Sequence, residues 1–150
     1  MKKILTLADQ INKRIWWHSP PSDKNAYKKR GMFLSSSYKE CEFYGRPLDE
    51  PIRVKVSKPL VDTERNVIRF FFGNDSPQML TLNALMNGTS RSPVKARFKL
   101  DADLFEAAKK NKYDAIAIIP EKGLEKIKNH KLPRSVELNV IDFENGIDKV

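Results

Sequence analysis

A short apolar strand that leads through a serine cluster into an amphipathic helix is the feature of the sequence that most constrains the fold. It covers residues 31–45, GMFLSSSYKECEFYG. Ser37 followed three residues later by Glu40 matches a capping box, in which hydroxyl and carboxylate each bind a backbone N–H at a helix start. Cys41 and Tyr44 then share one face of the predicted helix. We predict that this strand-to-helix unit forms one wall of a ligand cleft.

The rest of the pattern predicts a mixture of strands and helices. Apolar alternation and apolar runs predict strands at residues 14–18, 52–56, 113–119 and 136–143. Helical spacing of apolar residues predicts helices at residues 4–11, 79–86 and 101–112. Residues 67–72 fit a buried strand or the buried first turn of a helix, residues 23–30 a loop or broken helical turn, and residues 120–133 a basic loop or short helix. This mixture predicts an α+β fold with a compact mixed sheet and a few short helices.

Size and composition predict a single domain over residues 1–150, because a chain of 150 residues is long enough for one hydrophobic core and short for two. No apolar run approaches the roughly 20 residues of a membrane span, and Met1-Lys2-Lys3 leads into a mixed, charged segment rather than the apolar one of a signal peptide. We therefore expect a cytoplasmic monomer without membrane contact. The single cysteine, Cys41, excludes an internal disulfide and a Cys-based metal site, and a buried, inert thiol is its simplest interpretation.

The formal net charge of +9 predicts attraction to polyanions, so nucleic acid or a phosphate-rich ligand is the natural partner. The cations are spread along the chain, with local concentrations at residues 28–30, 109–112 and 122–131. A solvated basic surface without a defined partner is the alternative interpretation.

Three short patterns occur in a suggestive order: Trp17-His18-Ser19 at a strand end, Gly31-Met32-Phe33-Leu34 followed by Tyr44, and a strand at 136–142 led by Glu137. Taken singly, each is more typical of structural residues. Together they resemble the ADP-ribosyltransferase fold, in its diphtheria-toxin and poly(ADP-ribose) polymerase branch with the His-Tyr-Glu signature. Residues 113–116, Tyr-Asp-Ala-Ile, are similar to the Tyr-Asp-Gly-Ile strand of many small prokaryotic and phage members. The resemblance extends from about residue 16 to residue 150.

The resemblance implies a cleft in which NAD+ is cleaved at the nicotinamide–ribose bond through an oxocarbenium-like state. It implies that His18 binds the adenosine ribose and that the backbone of Ser19 contacts the nicotinamide amide. Phe33 and Tyr44 would sandwich the nicotinamide. Glu137 would be the catalytic residue, which bonds the nicotinamide ribose and stabilises its positive charge.

Three positions depart from the family pattern. Ser19 replaces the usual glycine, Phe33 replaces a tyrosine, and Cys41 stands where a serine often holds the carboxamide. Glu137 is retained, which favours surviving transfer chemistry. A degenerate member that binds NAD+ weakly, or no longer catalyses, is the alternative.

The resemblance therefore predicts a small, toxin-like mono-ADP-ribosyltransferase of bacterial or phage type. It would use NAD+ as substrate, need no metal, and modify a protein or a nucleic acid. One alternative is a non-enzymatic basic module that binds nucleic acid, with stacking surfaces at Trp16, Trp17, Phe33 and Tyr44. The other is a protein with an inherited, inactive cleft that binds and inhibits a protein partner.

Overall fold

The computed structural model describes residues 5–23, 25–42, 46–48 and 50–148. Its strands are β1 Trp17–His18, β2 Met32–Ser35, β3 Arg53–Val54, β4 Pro59–Asp62, β5 Ala115–Ile118, β6 Glu137–Val140 and β7 Ile147–Asp148. Five of them form a mixed sheet in the order β1-β2-β6-β5-β4, in which only the β4–β5 pair is parallel. Strands β3 and β7 form a separate antiparallel pair. The predicted α+β class and mixed sheet are confirmed.

The helices make a larger layer than the few short ones predicted. They are α1 Leu7–Lys13, α2 Ala26–Arg30, α3 Tyr38–Cys41, α4 Glu64–Phe72, α5 Pro77–Met86, α6 Pro93–Lys110, α7 Leu124–Lys128 and α8 Phe143–Gly146, with a 3-10 turn at Glu121–Gly123. Helices α4, α5 and α6 have 9, 10 and 18 residues. No helix in the described part of the chain is long and apolar enough to cross a membrane.

The sheet separates two hydrophobic clusters, because successive side chains of a strand point to opposite faces. The first cluster includes Trp16, Leu34 and Leu138, together with residues of α1 and β3. The second includes Leu104 and Ile116, together with other residues of α4, α5 and α6. The same sheet is therefore one wall of both cores.

The aromatic run 67–72 makes up the last six residues of α4, so both interpretations of it, a buried strand and the first turn of a helix, are wrong. The Thr63 hydroxyl accepts a hydrogen bond from the Asn66 N–H and caps the helix, and Val67 is completely buried. Phe70 is 61% exposed because it lies on the outer side of the helix. Helical capping thus decides the conformation of a run whose composition alone suits a strand.

Helix α6 begins at Pro93, eight residues before the predicted start at Asp101. Proline is favourable in the first turn, because it has no N–H and its φ is already helical. Asp101 lies in the middle of the helix, where it pairs with Arg97 one turn earlier.

Several other bounds also differ from the predictions. Residues 26–30, predicted as part of a loop or broken helical turn, form the short helix α2. Helix α1 begins at Leu7, and Trp16 contributes an isolated bridge to Ile52 instead of extending β1. The last predicted strand ends at Val140, since α8 starts three residues later.

The predicted capping box of α3 is half formed. The Ser37 hydroxyl accepts a hydrogen bond from the Glu40 N–H at 3.1 Å, as expected. The Glu40 carboxylate instead accepts a hydrogen bond from the Ser135 hydroxyl at 3.2 Å. This contact ties α3 to the segment that precedes β6. Tyr44 of the predicted wall lies outside the described residues.

Candidate functional site

A small cavity lies between the sheet and helices α4 and α6. It is lined by Phe33, Glu64, Asp101, Leu104, Ile116, Ile118, Glu137 and Asn139. Its volume is about 20 Å³, which is room for about one water. Phe33 comes from β2 and Glu137 from β6, and these strands are direct neighbours. The structure thus brings the predicted nicotinamide-stacking residue and the predicted catalytic acid to one face of the sheet.

An ion-pair cluster closes this cavity on its helical side. The Arg97 guanidinium donates to both oxygens of Glu64, at 3.0 and 2.7 Å, and to Asp101 Oδ1 at 2.7 Å. Burial raises the pKa of Asp101, against the opposing effect of Arg97. Burial alone would lower the pKa of Arg97, but its hydrogen bonds and the two carboxylates raise it overall. The cluster, one cation between two carboxylates, joins α6 to α4.

Asn139 connects the cavity to the end of α2. Its side chain is 5% exposed, and Nδ2 donates to the Arg30 carbonyl at 2.8 Å. Its Oδ1 is buried without a hydrogen-bond partner among the described residues, and it lies against Gly31 at the position where a Cβ would be. The start of β2 therefore fits closely against β6.

His18 is on the other face of the sheet. It lies opposite Leu34 of β2, whose side chain belongs to the first cluster. The side chains of Phe33 and Glu137 point to the opposite face, because neighbouring residues of a strand alternate between faces. Its Nδ1–H donates to the Phe33 carbonyl at 2.8 Å, and its Nε2 accepts from the Tyr27 hydroxyl at 2.8 Å. Burial lowers the pKa of His18, and the bond to the Phe33 carbonyl offsets part of this. The structure does not bring His18 to the cavity that contains Glu137.

Ser19 and Cys41, which the resemblance assigns to the carboxamide end of the cleft, are in contact with each other. The Ser19 hydroxyl donates to the Cys41 carbonyl at 3.0 Å and is 3.1 Å from the Cys41 thiol sulfur. Cys41 is buried, in agreement with the inert interpretation. This contact joins the end of β1 to α3.

Four residues of the site were missed by the sequence analysis: Glu64, Arg97, Asp101 and Asn139. The spacing of Arg97 and Asp101, one helical turn apart, is the only local sign of the cluster.

No group of three or more metal-ligating side chains occurs within the described ranges. Compared with protein-family models, curated proteins and solved structures, the chain gives no significant match.

Proposed function

We propose that the protein is a mono-ADP-ribosyltransferase that uses NAD+ and modifies a macromolecular acceptor, with Glu137 as its catalytic residue. The observation that carries the proposal is the shared cavity of Phe33 and Glu137, which come from distant parts of the chain. The order of strands supports it, because β1, with His18 at its end, lies beside β2, and β2 lies beside β6. We also propose that this mixed sheet is of the ADP-ribosyltransferase type.

The chemistry requires a carboxylate beside the ribose and a flat apolar surface beside the leaving ring. The bond from ribose C1′ to the nicotinamide nitrogen breaks, and its electron pair leaves with nicotinamide. The Glu137 carboxylate stabilises the positive charge that develops on the ribose. A nucleophile of the acceptor then bonds to C1′ and loses its proton. Phe33 supplies the flat surface.

The geometry also sets a condition on this proposal. A cavity that holds one water is too small for a nicotinamide ring, so binding of NAD+ requires α6 to move away from the sheet. His18, whose ring nitrogens contact Phe33 and Tyr27, would act here by holding β2 in place. Direct contact of His18 with the adenosine ribose remains a prediction from the resemblance.

The test is incubation with radiolabelled NAD+ and a panel of candidate protein and nucleic-acid acceptors. We expect labelling by the unmodified protein and a loss of about 100-fold or more in Glu137→Gln, the size seen when one electrostatic stabiliser of a transition state is removed. Glu125→Gln, which changes an exposed glutamate of α7, is the matched control and should label normally. Equal labelling by the unmodified protein and Glu137→Gln, or none by either, would refute the proposal.

A further inference from the structure

We infer that the surface formed by α2 and the first half of α6 binds single-stranded nucleic acid. We call it the α2–α6 surface, and it consists of Lys28, Lys29, Arg30, Val94, Lys95 and Phe98. The inference that this strand is the acceptor of ADP-ribose rests on the proposed function. The binding itself does not.

The charge of this surface matches a phosphate backbone. Three consecutive cations form the last residues of α2, and Lys95 projects from the first turn of α6, where the described structure has no acidic residue. The pair between Lys29 and Asp23, at 3.7 Å, is solvent-exposed and therefore weak. A positive charge in the first turn of a helix interacts unfavourably with the helix dipole, so helix stability does not explain the presence of Lys95.

An exposed aromatic ring of α6 lies against the last of the α2 cations. Phe98 is 48% exposed, and the Arg30 guanidinium lies 3.9 Å from the centre of its ring. Val94, one turn earlier on the same helical face, is 68% exposed. Rings flanked by cations are the usual means by which proteins bind unpaired bases, since every base can stack on them. An acidic protein would satisfy the cations but gives no reason for the exposed ring.

The α2–α6 surface borders the candidate site. The carbonyl of Arg30 accepts the hydrogen bond from Asn139, which lines the cavity. Arg97, the residue before Phe98, points inward to Glu64 and Asp101. A strand stacked on Phe98 would thus lie on the outer side of α6, the helix whose Asp101 and Leu104 line the cavity of Glu137.

The experiment measures binding of a fluorescent 12-nucleotide oligothymidylate by anisotropy at several salt concentrations, without NAD+. The charge variant is Lys28→Gln/Lys29→Gln/Lys95→Gln, and its control is Lys122→Gln/Lys126→Gln near and on α7. Loss of three phosphate contacts should lower the steepness of the log K against log[salt] plot by about 2, at roughly 0.7 per contact. The control should keep the slope of the unmodified protein.

The stacking variant is Phe98→Ala, and Phe70→Ala, at an exposed ring of α4, is its control. We expect Phe98→Ala to weaken binding about 5-fold or more with an unchanged salt slope, because stacking on one base is lost while phosphate contacts remain. Phe70→Ala should bind like the unmodified protein. Thermal unfolding of each variant shows whether it is folded.

The inference fails if the unmodified protein binds no oligonucleotide at low salt, if the controls lose as much as their partners, or if a duplex of the same length binds equally well. Glu137→Gln should bind normally. Binding without transfer to the strand would refute the acceptor role while the surface stands. Transfer to protein acceptors without strand binding would refute the surface while the proposed function stands.

Discussion

Among the described glycines, Gly31 has the least room for a side chain. Its φ is +86°, a conformation that side chains other than glycine adopt at a cost. An added Cβ would also overlap Asn139 Oδ1. Both limits arise between the end of α2 and the start of β2. Glycine at this position therefore lets β2 lie close to β6.

We expect Gly31→Ala to lower the free energy of unfolding by about 2–4 kcal/mol, the sum of positive-φ strain and overpacking. Gly73→Ala is the matched control, since Gly73 has a φ of +93° and no atom within 4 Å of the added Cβ. It should lose only about 1–2 kcal/mol, from the backbone strain. Urea unfolding measures both. Equal losses would show that Asn139 yields to the extra methyl group.

His18 illustrates how a residue can fit a sequence pattern and still be placed by packing. Its ring bonds the Phe33 carbonyl with one nitrogen and Tyr27 with the other, and the Tyr27 ring lies against Phe143. Burial lowers the pKa of His18 and favours the neutral imidazole, and the bond to the Phe33 carbonyl offsets part of this effect. In the described structure, His18 therefore supports the β1–β2 end of the sheet.

At the scale of elements, the approach of α6 to the sheet determines what the candidate site can do. Arg97 joins α6 to Glu64 of α4, and Asp101 of α6 binds the same guanidinium. These three side chains are only partly accessible to water. Any opening of the cavity for a ligand must loosen this cluster or move it as a unit.

We expect Arg97→Met to lower the free energy of unfolding by about 1–3 kcal/mol at pH 7, because it leaves two partly buried carboxylates without their cation. The loss should shrink as the pH falls. Burial already raises the pKa of Asp101 above its ordinary value, and removal of Arg97 raises it further, so the folded state takes up a proton before the unfolded state does.

Urea unfolding at pH 7 and pH 5 measures this difference. Arg69→Met is the matched control, because the Arg69 side chain bonds the neutral Asn66 and Asn74. Its effect should be the same at both pH values. A loss in Arg97→Met that does not change with pH would show that the Asp101 carboxylate stays charged.

The pairing of β4 with β5 depends on Asp114, a residue of the Tyr-Asp-Ala-Ile pattern. Its carboxylate accepts hydrogen bonds from the Ser57 N–H at 2.7 Å and the Lys58 N–H at 3.0 Å. Parallel strands have no hairpin to align them, so such a contact sets the start of β4. A structural role accounts for this part of the family-like pattern.

At the scale of the whole molecule, one sheet supports two cores. Trp16 is completely buried in the first cluster, and Leu104 is 5% exposed in the second. Because strands β5 and β6 contribute side chains to both faces, damage to one core removes support from the other. Cooperative unfolding of the described core follows from this arrangement.

We expect Leu104→Ala to lower the free energy of unfolding by about 2–4 kcal/mol, the usual cost of a buried leucine. Tryptophan fluorescence, which reports on Trp16 in the first cluster and on Trp17 in β1, and far-ultraviolet circular dichroism should shift together. Leu80→Ala is the matched control, since Leu80 is 66% exposed and should cost about 0.5 kcal/mol or less. Separate transitions by the two probes would show that the cores unfold independently, against the single domain predicted from chain length.

The sequence by itself determined the elements whose causes are local: the Ser37 cap of α3, the buried strands β5 and β6, and the approximate positions of α1 and α5. Capping and periodicity act within a turn or two, so they can be read from neighbouring residues. The longer reach of α6 was missed because the residues of its first two turns are mostly exposed, so their apolar members do not mark a core-facing stripe.

Only the tertiary structure decided which residues meet. The register of the strands places Glu137 and Phe33 on one face of the sheet and His18 on the other face. A shift of the register by one residue would reverse these faces. The ion pair of Arg97 with Glu64 joins α6 to α4, and no local sequence pattern predicts that these two helices meet. Faces and partners depend on contacts between residues far apart in the chain, and those contacts form only when both cores pack against one sheet.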